Sequence, residues 1–463
     1  MKKLRIIGAP YIKRKLKKIM KKACKVSIIM PSLNVADYID ECIGSALKQT
    51  LSEKEIICVD AGSTDGTWEK LLSYANNPEY KKCILLLQSD VKSYGCQIKL
   101  ALRQATGEYI AILETDDYIE ADMYEQLYKI GISTNADYVK ADYDTFISYP
   151  NNIRIFDRMM LFGNKKEKYG RILNPGRDLY LYVNDRNIWK GIYKKEFLLN
   201  NNIVLNESNG AAFQDIGFTQ QVLASAKRAV YSDKSFYRYR MDREDSSINS
   251  IHGLKYSYWE FSRLLEDSKL REKIIYIDGV FAHMVQSFCC ELIKTLRAAD
   301  YDVESESIRP YYRWFKEQIL RAVNSRLLSI DLYQLYPQLS SILDNIYKFS
   351  LELKDNDLIL KEKREKFLEM VEKRRIIVFG LGAYGRSVIK YLYKHNIPIV
   401  AACDNSKILW GKKQYGLSVY PPPECVKCFP DCTYVIANKN NSGEIYNQLL
   451  DLGMKENCIV IYS

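Results

Sequence analysis

Three carboxylates fall within four residues at Glu114-Thr115-Asp116-Asp117, directly after the apolar run Ile110-Ala111-Ile112-Leu113. Stacking acids at a strand end costs Coulomb repulsion. A divalent cation would offset that cost. Mg²⁺ and Mn²⁺ take carboxylate oxygens and leave positions open for substrate phosphates. Acids also suit the first turn of a helix, so the segment alone leaves both readings open. A second acidic turn, rich in glycine and hydroxyls, runs Asp60-Ala61-Gly62-Ser63-Thr64-Asp65-Gly66-Thr67.

The elements that must position these turns follow from the pattern of apolar residues. Residues 25–30 (KVSIIM) read as a buried strand, followed by the breaker and cap cluster Pro31-Ser32-Leu33-Asn34. Apolar residues then recur at helical spacing within 35–50 (Ile39, Cys42, Ile43, Leu47). Residues 55–59 read as a second strand, with a helix from Trp68; 83–87 and 107–113 read as a third and a fourth. Strand alternating with helix implies an α/β fold with a parallel sheet covered on both faces. Ligands bind such sheets at the carboxyl ends of the strands. Asp60 and the Glu114–Asp117 group both lie at such ends, so they are expected to face one pocket.

The strings VSIIMPSLN, IICVDAGSTDGT and GEYIAILETDD resemble the N-terminal half of a family 2 glycosyltransferase with the GT-A fold. The likeness covers residues 25–250. It implies that Pro31, Asn34, Asp60 and Asp65 line a nucleotide pocket, with Asp60 near the uracil or ribose. Glu114 and Asp116 would be the DxD-type pair that holds Mn²⁺ or Mg²⁺ on a diphosphate, with Asp117 beside them. Glu114 stands where the family more often has Asp, a reach longer by one methylene. Lys99 stands where many relatives carry Asn, and a solvent-facing role is favoured over a phosphate contact. Residues 187–193 (NIWKGIY) are similar to the segment leading to the acceptor side. Residues 210–218 match an acidic motif before a helix, in which Asp215 would be the general base that takes a proton from the acceptor hydroxyl. Asp215 also suits a helix N-cap. Residues 237–247 resemble a loop that folds over the donor diphosphate, where Arg240 would meet phosphate oxygens. The implied activity is a metal-dependent, inverting transfer of a sugar from a nucleotide-sugar, a UDP-sugar by preference. The acceptor would be a lipid-linked saccharide or polysaccharide in capsule, O-antigen or exopolysaccharide synthesis. The alternative is a catalytically silent GT-A scaffold whose C-terminal part senses a nucleotide.

The formal charge of +11 comes from 68 basic and 57 acidic side chains. Residues 1–25 hold 11 of the basic ones and no acid, so the rest of the chain is formally neutral. A nucleic-acid binder would spread basic surface over its folded domain, so no nucleic-acid partner is expected. Apolar residues interleave the 1–25 segment, a pattern suited to an interfacial helix on an anionic membrane surface. Repeated lysines break its apolar stretch, which argues against a secretory signal, and no other run is long enough to span a bilayer. A cytoplasmic enzyme, peripheral to the inner face of the membrane, is the expectation. The 12 cysteines are dispersed and expected to be reduced. Cys425, Cys428 and Cys432 alone are close enough in sequence to raise the question of zinc. The three histidines (His252, His283, His395) have no partner at metal-ligand spacing and read as structural or exposed.

Residues 251–373 read as a helical region and connector, able to pack on the catalytic domain or on a second copy of the chain. A second, small α/β domain is expected over 374–463. Its strand 376–379 leads into Gly380-Leu381-Gly382-Ala383-Tyr384-Gly385, a helix, a further strand and Asp404, 19 residues after Gly385. Glycines at this spacing let a backbone approach a pyrophosphate, and an acid at this distance suits a ribose. The stretch 403–419 resembles the Rossmann-like domain appended to sugar-modifying enzymes, which implies nucleotide or nucleotide-sugar binding in a regulatory or assembly role rather than redox catalysis.

Overall fold

The structure, a computed structural model, describes residues 23–243 and 251–462. The chain forms two compact units, one from residues up to 145 and from 157 to 350, the other from 146–156 and from 351 onward. The basic segment expected to meet a membrane lies outside the described residues apart from 23–25. Among the described residues, no helix is long and apolar enough to cross a membrane.

The first nine strands form one sheet: β1 (Val26–Ser32), β2 (Lys54–Asp60), β3 (Ile84–Gln88), β4 (Tyr109–Ile112), β5 (Tyr118–Ile119), β6 (Tyr138–Tyr149), β7 (Ile153–Met159), β8 (Gly191–Lys194) and β9 (Ala229–Arg240), with residues 146–149 of β6 and 153–156 of β7 counting with the second unit. Their order is β3-β2-β1-β4-β8-β6-β9-β5, with β7 on β6. β1, β2, β3 and β4 run parallel. Every residue of β1 and β4 is buried, as expected of parallel strands covered on both faces. The sheet is not parallel throughout. β8 is antiparallel to both β4 and β6, and β5 is antiparallel to β9, so the fold is a mixed α/β.

β1 continues through Pro31, which the sequence suggests as a breaker. The ladder to β4 ends at Ile29 and Ile112, so the proline lies beyond the last bond its missing N–H could have served. Its carbonyl accepts instead from Thr115 Oγ1 at 2.8 Å. Helix Ile39–Leu47 buries Ile39, Cys42, Ile43 and Ala46 on one face. Helix Tyr94–Gln104 starts on Ser93, whose Oγ accepts from the Cys96 amide. Its buried Gln97 donates to the carbonyls of Ser32 (2.9 Å) and Val59 (2.7 Å). One amide thus fixes the helix against the carboxyl ends of β1 and β2.

The helices Gly253–Glu266, Ile277–Ala298 and Arg309–Asn324 belong to this first unit. Phe288 and Phe315 stack 3.9 Å apart within it. Helix Ile346–Val371 spans the division at residue 350.

The second unit carries β10 (Ile376–Phe379), β11 (Ile399–Cys403), β12 (Lys413–Gln414), β13 (Leu417–Tyr420), β14 (Thr433–Ile436) and β15 (Ile459–Ile461), in the order β12-β13-β11-β10-β14-β15. All neighbours are parallel except β12 with β13. Alternate residues of β10 feed two cores: Ile376 and Val378 pack with Val388 and Leu392, Ile377 and Phe379 with Ile445 and Leu449. That two-sided burial explains an unbroken apolar string in place of an alternating one.

Candidate active site

β1, β2 and β4 end on the same edge, with Ser32 opposite Asp60 in register. The loops beyond them brace one another. Asp60 is buried and accepts from the Gly62 and Ser63 amides and from Ser63 Oγ, at 2.5–3.0 Å. Asn34 sits at φ 51°, a conformation asparagine tolerates, and its Oδ1 accepts from the Thr64 amide at 2.9 Å. Asp65 accepts from the Ala36 and Thr67 amides and from Thr67 Oγ1. These hydrogen bonds hold its carboxyl below the usual range despite the opposing effect of burial. Asp60, Asp65 and the Oδ1 of Asn34 therefore brace the two loops against each other.

The Glu114–Asp117 turn hangs from the end of β4. One carboxylate oxygen each from Glu114, Asp116 and Asp117 lies within 4.8 Å of the others. No other group of three acids, cysteines or histidines among the described residues comes together in this way. Cys425, Cys428 and Cys432 do not converge, and Cys428 is exposed while the other two are buried. Burial, then Asp116 and Asp215, push the Glu114 carboxyl up to about 8. Burial, then Asp116 and Glu114, push Asp117 up as well. Asp117 is tied down by the Tyr237 hydroxyl (2.8 Å) and the Arg240 amide (2.7 Å). Asp116 pairs with Arg243 at 3.1 Å, and Tyr94 donates to Glu114 at 3.3 Å. Three hard oxygen donors concentrated this way fit a divalent cation such as Mn²⁺ or Mg²⁺.

Arg240 does not point its guanidinium into open space. Its Nε donates to the Asp116 carbonyl (2.8 Å), its Nη2 meets Glu41 (2.9 Å), and the group lies 4.8 Å over the Tyr38 ring. Residues 244–247 of the same loop are outside the described residues. Lys99 pairs with Glu207 at the surface, in keeping with a solvent-facing side chain.

Asp215 stands in the first turn of helix Gln214–Ser225, 10 of whose 12 residues are buried. Burial raises its carboxyl to about 6, with Arg186 pulling the other way. Asp215 and Glu114 line one cavity of about 640 Å³, together with Tyr94, Asn187, Trp189 and Tyr239. Trp189 is stacked on Tyr237 and Tyr239, at 4.2 and 4.9 Å between ring centres. Of the residues expected on the donor side, Glu114 lines this cavity, whereas Pro31, Asn34, Asp60, Asp65, Asp116, Asp117 and Arg240 are not among its lining residues.

A buried cluster under this cavity went unread in the sequence. Lys140 Nζ and Lys190 Nζ lie 3.0 and 3.1 Å from the two oxygens of Asp185, and Tyr231 donates to the same acid at 2.7 Å. Burial draws Lys140 down to about 8 against the pull of Asp185. Burial alone would raise Asp185, but the two ammoniums outweigh it and hold its carboxyl low. A lysine within the apolar run Tyr138-Val139-Lys140-Ala141 is the one sequence signal that could have found the cluster.

In the second unit, Gly380, Gly382 and Asp404 border a cavity of about 220 Å³ with Tyr384 and Asn438. Gly380 has φ +102°, a Cβ on Gly385 would lie 1.8 Å from the Gly380 carbonyl oxygen, and a Cβ on Gly382 would meet nothing within 4 Å. Asp404 accepts from the Leu381 amide (2.8 Å) and the Ser406 amide (2.7 Å). It joins the ends of β10 and β11.

Residues 27–190 match the model of the family described as Glycosyl transferase family 2, and 372–460 match the one described as C2185-like, N-terminal. The chain is 30% identical over 311 residues to the cholesterol galactosyltransferase of Borreliella burgdorferi, covering 65% of this chain and 82% of that one. It is 28% identical over 263 residues to the uncharacterized glycosyltransferase YibD of Escherichia coli, covering 54% and 72%. It is 27% identical over 248 residues to the poly(ribitol-phosphate) beta-N-acetylglucosaminyltransferase TarS of Staphylococcus aureus, covering 52% of this chain and 40% of that one.

Proposed function

Because this chain belongs to glycosyl transferase family 2 and is a glycosyltransferase, we propose that it moves a sugar from a UDP-sugar to a hydroxyl of a lipid-linked saccharide or polysaccharide, inverting the anomeric centre. The observation that carries this reading is the shared cavity of Glu114 and Asp215. Glu114, Asp116 and Asp117 would hold Mn²⁺ or Mg²⁺, which supplies positive charge beside a departing diphosphate. Asp215 takes the proton from the acceptor hydroxyl. A carboxylate near 6 is charged at neutral pH yet a better base than an ordinary aspartate. The loops braced by Asp60, Asp65 and Asn34, with Pro31 behind them, present backbone to the nucleotide. Relatives named for transferring galactose and N-acetylglucosamine support a UDP-sugar donor, and those named for cholesterol and poly(ribitol-phosphate) support a cell-surface acceptor.

UDP-glucose, UDP-galactose and UDP-N-acetylglucosamine incubated with Mn²⁺ test this directly, with release of UDP as the readout. Wild type is expected to turn over at least one donor, and Asp116→Ala to lose about 100-fold or more. Nucleotide binding without turnover of any donor would instead favour a silent scaffold. The basic segment would hold the enzyme at anionic lipid on the cytoplasmic face. Deleting residues 1–22 should weaken sedimentation with phosphatidylserine vesicles, and equal sedimentation would remove that part of the reading.

A further inference from the structure

Half of the methionines among the described residues are core side chains: Met30, Met123, Met284 and Met454 are buried. Met159, Met160 and Met241 are 41%, 50% and 44% exposed, and all three line the active-site cavity. Met370 is exposed as well but does not line it. Side chains that both line a cavity and meet solvent stand at its mouth. Single exposed apolar residues are ordinary, whereas several gathered at the mouth of a site mark a surface that another apolar group covers.

The backbone that carries these side chains is held in place. Directly beyond Met160 the Leu161 amide donates to Asp142 Oδ1 at 3.0 Å, and the Phe162 amide to the Tyr169 hydroxyl at 3.1 Å. The Leu161 carbonyl accepts from the Tyr180 hydroxyl, so the half-exposed Tyr180 ring joins the mouth with its donor already used. Met241 follows Arg240, whose amide donates to Asp117 at 2.7 Å and whose Nε donates to the Asp116 carbonyl at 2.8 Å. On these fixed segments the unbranched, polarizable thioethers can adapt to the shape laid on them. A saccharide across the mouth would turn its hydroxyls toward thioethers, which are weak acceptors and no donors. A hydrocarbon group would lose only its contact with water.

We propose that Met159, Met160, Tyr180 and Met241 form an acceptor subsite for an apolar aglycone, the hydrocarbon part of a lipid-borne acceptor whose hydroxyl reaches Asp215 in the same cavity. A polysaccharide chain carries no such group, so the subsite selects the lipid-borne acceptor of the two classes. Calling the ligand an acceptor rests on the sugar-transfer reading above; the apolar subsite itself rests on the mouth of the cavity.

NMR of the full-length protein with ¹³C-methyl methionine and Mg²⁺ can follow each position, with Met159, Met160, Met241 and Met370 assigned through their leucine variants. The probes are methyl β-D-glucoside and octyl β-D-glucoside, the latter below its micelle concentration, each with and without saturating UDP. Octyl glucoside should move the Met159, Met160 and Met241 signals saturably and leave Met370 in place. It should bind at least about tenfold more tightly than methyl glucoside, because each buried methylene adds transfer free energy, and UDP should leave that response in place. Met159→Ser with Met160→Ser, read at Met241, should cut the preference to about threefold or less, whereas leucine at both positions should keep it. Both positions are exposed, so both pairs should melt like wild type. Equal Kd values for the two glucosides, a matching shift of Met370, a preference undiminished in the serine pair, or displacement by UDP would each overturn the subsite. So would mouth signals that move on deletion of residues 1–22 with no ligand present, which would give the surface to the chain's own N-terminal segment. Donor turnover by wild type is scored separately, by release of UDP. Turnover without an octyl preference sinks only the subsite, whereas an octyl preference without turnover leaves an apolar binding site and sinks the transfer reading.

Discussion

Arg243 Nη1 stands 3.1 Å from Asp116 Oδ2, and Nη2 of the same side chain reaches the Asn34 carbonyl at 3.3 Å. One guanidinium thus links the carboxylate cluster after β4 to the loop after β1. A cation entering among Glu114, Asp116 and Asp117 meets it as a like charge. Arg243→Ala should therefore tighten Mn²⁺ binding to the nucleotide-free protein by about threefold to tenfold, the effect of removing one nearby charge in a partly solvated site. Electron paramagnetic resonance of free Mn²⁺ reads this out. Mn²⁺ affinity that is unchanged or weaker in Arg243→Ala would mean that the pair does not compete with the cation.

Asp215 gives a prediction with opposite signs for rate and for stability. Its carboxyl is raised from 3.8 to about 6, chiefly by burial. The base must be ionised to accept a proton, so the rate should fall as pH drops through about 6. Stability runs the other way. A carboxyl raised in the folded state destabilises the fold above pH 6, and the cost fades as pH falls toward 3.8. Asp215→Asn should lose about 100-fold or more in transfer while melting no lower than wild type at pH 7.5, and any gain in melting temperature should shrink by pH 4.5. A clear drop in the melting temperature of Asp215→Asn at pH 7.5 would mark the acid as structural, a member of the first turn of a helix whose N-cap is Phe213.

The parts of this site that were legible are those written in one short string each. Parallel strands put their carboxyl ends on a common edge, so local pattern alone could place Asp60 and Glu114–Asp117 at that edge, though the cavity lined by Glu114 does not include Asp60. The mouth residues Met159 and Met241 and the pair Lys140–Asp185 were not legible, because helices and strands far apart in sequence bring them together. The antiparallel half of the sheet was missed for the same reason: β8 and β9 join β4 and β5 across about 80 and 120 residues. Arg240 illustrates a different limit. Its charge invited a phosphate, yet the turn at Asp116 and the acid Glu41 already use its donors. Composition cannot show whether a cation is already engaged.

The glycines of the second unit separate a packing role from a binding role. An alanine at 385 would put its Cβ 1.8 Å from the Gly380 carbonyl oxygen, forcing helix Ala383–Lys394 away from β10. That overpacking should cost about 1–3 kcal/mol and lower the melting temperature of the unit. An alanine at 382 meets nothing within 4 Å and needs no unusual backbone, since φ there is −65°. The fold should tolerate Gly382→Ala. A diphosphate lying against the first amides of that helix would not, because the glycine is what lets backbone and phosphate approach. If the unit binds a nucleotide, wild type should show a thermal shift with NAD or a UDP-sugar, Gly382→Ala should lose the shift at an unchanged melting temperature, and Gly385→Ala should melt lower with or without ligand. No shift in wild type with either class would leave the glycines to packing alone, and Asp404 to its two backbone amides.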